Sequence, residues 1–443
     1  MDAANNRTLT FQIFDLVSGD DDARLCRDIP EAQCNEQPRS FVLQTLSQAL
    51  SKIGDSLADA KIVLPWLLGA VGAPMFFVGL LVPIREALAL IPQILVGGYI
   101  RHFAVRKWFW VIGSAIEGAS ILAMGLLAMF GVSGSLAGWL IIGLLVLFSC
   151  ARGVASVAAK DTLGKTVSKG KRGRVSGYAA TLSGIVACAV GAYFALAPSD
   201  FRPDWLLYGL LILAGISWFA AATAYARIPE LPGATEGARG ISDLLTAQIK
   251  LLLQDRELQK FLLARALMIA TALVGPVYVT LAQSRTGQEL SALGWLMLAT
   301  GLASTLSASF WGALSDYSSR ATMAMAAAIA GILGFAVLAA SYLLPAAMTH
   351  IGFYAAVLFI LGIAHAGVRI GRKTHIVDLA GGDRKAEYVA VSNTLIGILL
   401  LMIGGLVSIL LSFGAEAAIA ALSTMALLGA LTACRMTHAQ APD

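Results

Sequence analysis

A chain of 443 residues would ordinarily be divided into two or three soluble domains, but 58% of these residues are hydrophobic and only 13% charged. The mean hydropathy is +0.76, and apolar runs of about 18–25 residues recur along nearly the whole length, each long enough to cross a hydrocarbon core. One soluble core cannot hide that much apolar surface, so the chain reads as an all-α, multi-pass membrane protein. The net charge of +5 is not a nucleic-acid signal, because the basic residues gather in particular loops.

Residues 1–39 form an acid-rich tail (Asp20, Asp21, Asp22, Asp28, Glu31, Glu36) with neither a basic n-region nor an apolar h-region, so no cleavable signal peptide is expected. The five cysteines are scattered. With no CxxC or Cys/His spacing among them, neither a disulfide framework nor a metal site is supported. From Ser40, the residues Leu43, Leu46, Leu50, Ile53 and Leu57 repeat at intervals of three and four, with Gln44, Gln48, Ser51 and Asp55 on other faces. That pattern predicts an amphipathic helix over 40–57, lying on the membrane surface.

Hydropathy then places spans at about 59–81, 84–103, 108–130, 136–160, 175–197 and 205–227. A second set follows at about 259–282, 290–314, 321–344, 350–372, 388–412 and 415–435. The count is twelve, as two six-helix bundles over 58–227 and 259–435. Between them lies a central loop, 228–258, with its own amphipathic stretch at Ile241, Leu245, Ile249 and Leu252. One set of connections carries Arg101, Arg106 and Lys107, then Lys165–Arg174, Arg320, and finally Arg372, Lys373, Arg384 and Lys385. The opposite set holds little beyond Arg85, Arg202 and Arg285. The positive-inside rule puts the basic set, both termini (1–39 and 436–443) and the central loop in the cytoplasm.

The halves superpose in sequence. Ala151-Arg-Gly-Val-Ala-Ser faces His365-Ala-Gly-Val-Arg-Ile, Thr181-Leu-Ser-Gly faces Thr394-Leu-Ile-Gly, and Gly191 faces Gly404, all at an offset near 213 or 214. Upstream the offset drops to about 202, which pairs Gly72-Ala-Pro74 with Gly275-Pro276, and the 40–57 helix with residues 242–255. Six spans is an even number, so the repeats are parallel.

A polar break, Gly312-Ala-Leu-Ser-Asp-Tyr-Ser-Ser-Arg320, follows the eighth span, and Gly98, His102 and Arg106 follow the second at the same spacing. With the 6+6 spans and the long central loop, this resembles the major facilitator superfamily of secondary transporters over residues 59–435. The resemblance implies that Gly312, Asp316 and Arg320 brace a cytoplasmic gate in one conformation, and that Gly98, His102 and Arg106 form a weaker counterpart. Histidine replaces the acid there, so His102 either tunes the latch or merely ends a helix. Residues 175–197 contain no proline before Pro198, which disfavours the drug/proton antiporter subgroup.

Charges inside the spans mark candidate function. Glu117 and Arg152 fall roughly 15 Å and 12 Å deep on adjacent spans, where they form either a structural pair or part of a site. Arg265 enters the seventh span, and His365 and Arg369 lie one turn apart on the tenth. The resemblance implies that spans 1, 4, 7 and 10 line the central cavity. Arg152, Arg265, His365 and Arg369 would then make it cationic, unless Arg265 and Arg369 snorkel to the interface. Arg85 and Glu86 read as an interfacial pair on the outer side.

The function this supports is alternating-access transport of a small solute, leaning anionic, by a monomer in a bacterial inner membrane. No cofactor is expected. Proton coupling through Glu117 or His365 is open. The alternative is a non-transporting receptor or assembly factor that works through its tail. No HExxH, GxSxG, P-loop or paired-carboxylate signature points to an enzyme.

Overall fold

The computed structural model describes residues 31–91, 96, 99–100, 102–233, 235, 241–380 and 384–437. The first half holds α1 (Glu31–Asn35), α2 (Gln37–Leu57), α3 (Val63–Ala70), α4 (Phe76–Leu90), α5 (Lys107–Met129), α6 (Gly134–Thr166), α7 (Lys169–Leu196) and α8 (Trp205–Ala226). The second holds α9 (Ile241–Gln254), α10 (Arg256–Leu267), α11 (Ala270–Thr286), α12 (Leu290–Leu343), α13 (Ile351–Ala380), α14 (Lys385–Leu411) and α15 (Ala415–Cys434). No strand occurs among the described residues. Nine helices there are long and apolar enough to cross a membrane, with α10–α11 taken as one and α12 as one. α12 has 54 residues and is two helices joined across a kink at Ser318, whose φ of −156° and ψ of 99° are not helical. The polar Ser315–Arg320 stretch is therefore a sharp bend inside one element.

The surface placement expected for 40–57 does not hold. α2 packs against α7 and α8, and its polar side is the buried one: Ser40, Gln44, Ser47 and Ser51 are inside while Leu46 is exposed. Neighbouring helices receive that face. Gln44 Nε2 donates to Thr166 (3.3 Å), Ser217 donates to the Leu50 carbonyl, and a Cβ on Gly54 would meet the Trp218 ring at 2.7 Å. A helix dry on its polar face is a bundle helix with hydrogen-bonded neighbours, since an unsatisfied polar group in hydrocarbon costs several kcal/mol.

The span expected at 59–81 also differs. α2 continues through a five-residue break, Ala58–Ile62, into α3. Pro65 explains the break, because its ring clashes with the carbonyl four residues earlier, that of Lys61. Asp59 then fixes the turn by accepting from the Lys61 and Ile62 amides at 2.8 and 3.0 Å. The chain reverses at Gly72, where φ is +67°, before α4. In the second half α10 and α11 break at Met268–Ile269, Pro276 lies inside α11, and Gly287 (φ +94°) makes the reversal before α12. Gly72 and Gly287 are 215 residues apart, and the starts of α4 and α12 are 214 apart. The drop of the offset to 202 is thereby corrected: α2 corresponds to α10, and α9 is an additional helix before the second half.

Each half packs as a bundle, and the halves meet where α4 runs along α14, α7 along α12, and α3–α4 against α11. Small residues allow the approach. A Cβ on Gly404 would collide with Pro83, and one on Gly79 would lie 2.7 Å from the Ser408 amide nitrogen. Cys34 is disulfide-bonded, against the expectation from spacing, whereas Cys150, Cys188 and Cys434 are free.

Candidate functional site

A cavity of about 1220 Å³ lies between the halves, lined by the α2–α3 break, α7, α11, α12 and α13. The halves are tied together at the end carrying the Gly72 and Gly287 turns. There Gln283 Nε2 donates to the Trp66 carbonyl (3.0 Å) and Gln288 Nε2 to that of Gly69 (3.4 Å). Packing of α7 on α12 shows the same asymmetry. A Cβ on Gly191 would touch Met297 at 3.3 Å, while Gly184, two turns nearer the basic loops, has nothing within 4 Å. The cavity therefore widens toward the end bearing Lys165–Arg174 and Arg320.

Its wall is amphiphilic. Ile62, Val63, Ile185, Met297 and Leu358 supply apolar surface, and Ser56, Thr181, Thr300 and Ser304 supply hydroxyls. No phenylalanine, tyrosine or tryptophan lines it among the described residues. Lys52, Lys61, His365 and Arg369 face Asp59, the one carboxylate of the lining, and Asp59 already holds the turn amides.

Of the five candidate site residues, His365 and Arg369 line this cavity and the other three do not. Arg152 turns into the first bundle, where its Nε lies 3.4 Å from Glu117 Oε2 and its Nη2 meets Asp55. Arg85 joins the same Asp55 carboxylate, so Asp55, Glu117, Arg85 and Arg152 form a neutral quartet on α2, α5, α4 and α6. Arg85 is thus no interfacial partner of Glu86. Phe148 closes the quartet, its ring centroid 4.3 Å from the Arg85 guanidinium and 5.5 Å from that of Arg152. Arg265 turns into the second bundle and donates to Ser392 and to Asn393 Oδ1, the latter at 3.1 Å.

Sequence reasoning missed Lys61 and Thr271. Lys61 Nζ lies 3.0 Å from His365 Nε2, a contact between the halves, and Thr271 Oγ1 lies 3.2 Å from His365 Nδ1. The one available signal for Lys61 was the proline four residues on, which marks a helix break at mid-depth. Lys61 and Arg369 make no ion pair among the described residues, in contrast to Arg85, Arg106, Arg152 and Lys165, each of which meets a carboxylate.

Among the described residues, Asp316 and Arg320 of the expected gate motif form no ion pair. Asp316 is exposed and has no hydrogen bond or ion pair with a described residue, a Cβ on Gly312 would meet nothing within 4 Å, and Arg320 donates to the Met436 carbonyl at 2.7 Å. Gly98 lies outside the described residues. His102 Nδ1 sits 3.2 Å from the Tyr99 carbonyl in a short turn. Arg106 meets Asp161, and the buried Glu230 accepts from the Arg106 and Lys107 amides and from Lys165 Nζ at 3.0 Å. That cluster pins the start of the central loop to the first bundle.

No protein-family model matches the chain, and no curated protein matches it in sequence. Solved structures do. The nucleoside transporter NupG superposes with a TM-score of 0.65 at 11% identity, over 91% of this chain and 99% of that one. A POT family transporter in complex with a thioalcohol-conjugated peptide gives 0.63 at 12%, over 89% and 95%. The inward-open conformation of the xylose transporter XylE from E. coli gives 0.62 at 12%, over 90% and 95%. The chain shares the fold of these transporters. It is a multi-pass membrane protein, and the likeness covers both bundles.

Proposed function

We propose that this chain is a secondary transporter that carries a small anionic solute by alternating access of its two halves. The observation that carries the reading is the pair of cations, Lys61 and Arg369, which line a cavity between the halves without an ion-pair partner among the described residues. Unpaired charge at membrane depth is costly, and an anionic cargo is the partner that would offset it. In this reading α2–α3, α4, α5, α6, α7, α8, α10–α11, the two arms of α12, α13, α14 and α15 make twelve crossings. Both termini are cytoplasmic, in a bacterial inner membrane. The wide end then faces the cytoplasm, the conformation is inward-open, and the free Asp316 is a released latch. The neighbours by fold include nucleoside, peptide and xylose transporters, but a cavity without phenyl or indole rings offers no stacking face for a base or a sugar. Short aliphatic anions fit its amphiphilic wall better.

A thermal-shift screen of the purified protein tests this, since a ligand of the folded state raises its apparent stability. Succinate, citrate and sulfate should raise the melting temperature, whereas xylose, uridine and dipeptides should not. A shift from a neutral solute alone would refute the anionic cargo. The non-transporting alternative draws no support from the described part of the tail. Gln33 Nε2 donates to the Pro229 carbonyl (2.7 Å) and the Leu231 amide donates back to Gln33 (3.3 Å), so this segment is strapped to the central loop.

A further inference from the structure

The Lys61–His365 contact has a defined proton inventory. An ammonium has three donors and no acceptor, so His365 Nε2 must present a lone pair to Lys61 Nζ, 3.0 Å away. The ring proton of the neutral imidazole is then on Nδ1, where it points to Thr271 Oγ1 at 3.2 Å. Thr271 in turn donates to the Met268 carbonyl at 2.9 Å. Every donor in this chain of bonds has one acceptor, and the tautomer is fixed from both sides.

The α2–α3 break presents Lys61, α13 presents Arg369 and Arg372, and α11 presents only the neutral Thr271. The carboxylates nearby, Asp59 and Glu86, act on Lys61, and α12 contributes no ionisable group to the cavity lining. A proton on Nε2 would turn the acceptor into a donor and set a cation against the Lys61 ammonium. The contact between the halves would break unless a negative charge arrived to sit among the cations.

We propose that the solute anion and one proton from the cytoplasmic or outer solvent bind together at this contact. The anion seats between Lys61 of the first half and Arg369 of the second, and the proton goes to Nε2 of His365. Each makes room for the other. The anion takes over the Lys61 ammonium that the imidazole releases, and the proton cancels charge that the anion brings. This makes the carrier a proton–anion symporter with its coupling site inside its cargo site, and it rests on the reading of an anionic cargo above.

The test is calorimetric titration of the full-length protein in detergent with sulfate and with ethanedisulfonate, whose charges do not change between about pH 5 and pH 8. Linkage of one proton makes affinity rise as pH falls, by up to about tenfold per pH unit. Repeating the titration in two buffers of different ionisation heat should show about one proton taken up per anion. His365→Gln keeps an acceptor for Lys61 and a donor for Thr271 but cannot take the proton, so its affinity should be independent of pH, and Lys61→Met should weaken binding at every pH. Affinity that is flat with pH in the wild-type protein, or a pH slope that survives in His365→Gln, would overturn the coupling while leaving the anionic cargo standing. No binding of either anion at any pH would remove the cargo assignment as well.

Discussion

The buried quartet of the first bundle gives the most decisive prediction, because its charges balance. Asp55 and Glu117 face Arg85 and Arg152, and the side chains are shielded: Glu117 is 1% exposed, Arg85 15%, Arg152 23% and Asp55 30%. Replacing Arg152 with Met removes one positive charge and leaves two carboxylates on a single guanidinium. Breaking a buried pair from one side costs about 3–5 kcal/mol, because the remaining charge is stranded. Glu117 would suffer most, since the base it meets is Arg152, at 3.4 Å. Adding Glu117→Gln to Arg152→Met restores neutrality, and most of the lost stability should return. The assay is thermal unfolding in detergent followed by size-exclusion recovery of single and double variants. The single variant should melt several degrees lower, and the double variant should approach the wild-type protein. A single variant that melts like the wild type, or a double variant no better than the single, would refute the claim that Arg152 neutralises the fold rather than binding cargo.

Arg369→Ala, by contrast, should lose most anion uptake into proteoliposomes at unchanged melting temperature, because Arg369 lines the cavity and has no ion-pair partner among the described residues to strand. A matching loss of stability would show a structural role instead. Gly69→Leu should collide with Gln283 at the end where the halves are tied and expose a cysteine placed at Thr300 to impermeant reagents from outside. Unchanged labelling would count against that end being the outer gate. Glu230→Ala should destabilise by about 1–3 kcal/mol, leaving the Arg106 and Lys107 amides without this acceptor and Lys165 with only Asp161 and the Ala104 carbonyl, as read by thermal unfolding. Asp255 caps α10 by accepting from the Glu257 and Leu258 amides at 3.0 Å and from the Tyr388 hydroxyl. Burial opposes its ionisation, but these bonds prevail and hold its carboxyl below the ordinary value. Its stabilising effect is therefore full above the unfolded carboxyl's pKa of about 4 and fades as pH falls through the lower folded value. Asp255→Ala should cost about 1 kcal/mol at neutral pH, with the difference from wild type vanishing in strong acid.

Length and polarity of the apolar runs were legible because hydropathy records transfer into lipid directly. The bend at Ser318 and the repeat offset of 214 were legible for the same reason, since both are punctuated by polar residues and glycines. The first crossing was not. Gln44, Ser47, Ser51 and Asp55 look like a wet face, yet they pair with Thr166, Arg152 and backbone groups of the bundle. A sequence shows that a residue is polar, not whether its partner is water or a neighbouring helix. The same ambiguity split the site residues. Arg152 and Arg265 sit at the right depth but turn away from the cavity, and rotation about the helix axis is set by packing that periodicity does not resolve. Lys61 was hidden because a lysine near the start of an assumed span reads as interfacial. Only the break at Ala58–Ile62 places it midway along the crossing.

The pseudo-symmetry of the halves is broken most sharply in their charges, and that break bears on how the protein works. The first bundle encloses two acids with two bases, whereas the corresponding interior of the second holds Arg265 against neutral Ser392 and Asn393. A charge-balanced quartet has no spare cation to offer a cargo and is suited to keeping a bundle rigid. The cavity has the opposite design: basic groups from both halves, one lone pair shared between them, and no carboxylate free to answer. A site that is complete only when something anionic enters favours joining the halves around that cargo. A ligand shifts an equilibrium by no more than its differential affinity for the two states. Here the differential is built from residues on opposite sides of the divide. Lys61 belongs to the first half and His365 with Arg369 to the second, so on the proposed coupling any motion that separates the halves would change the binding of cargo and proton at once.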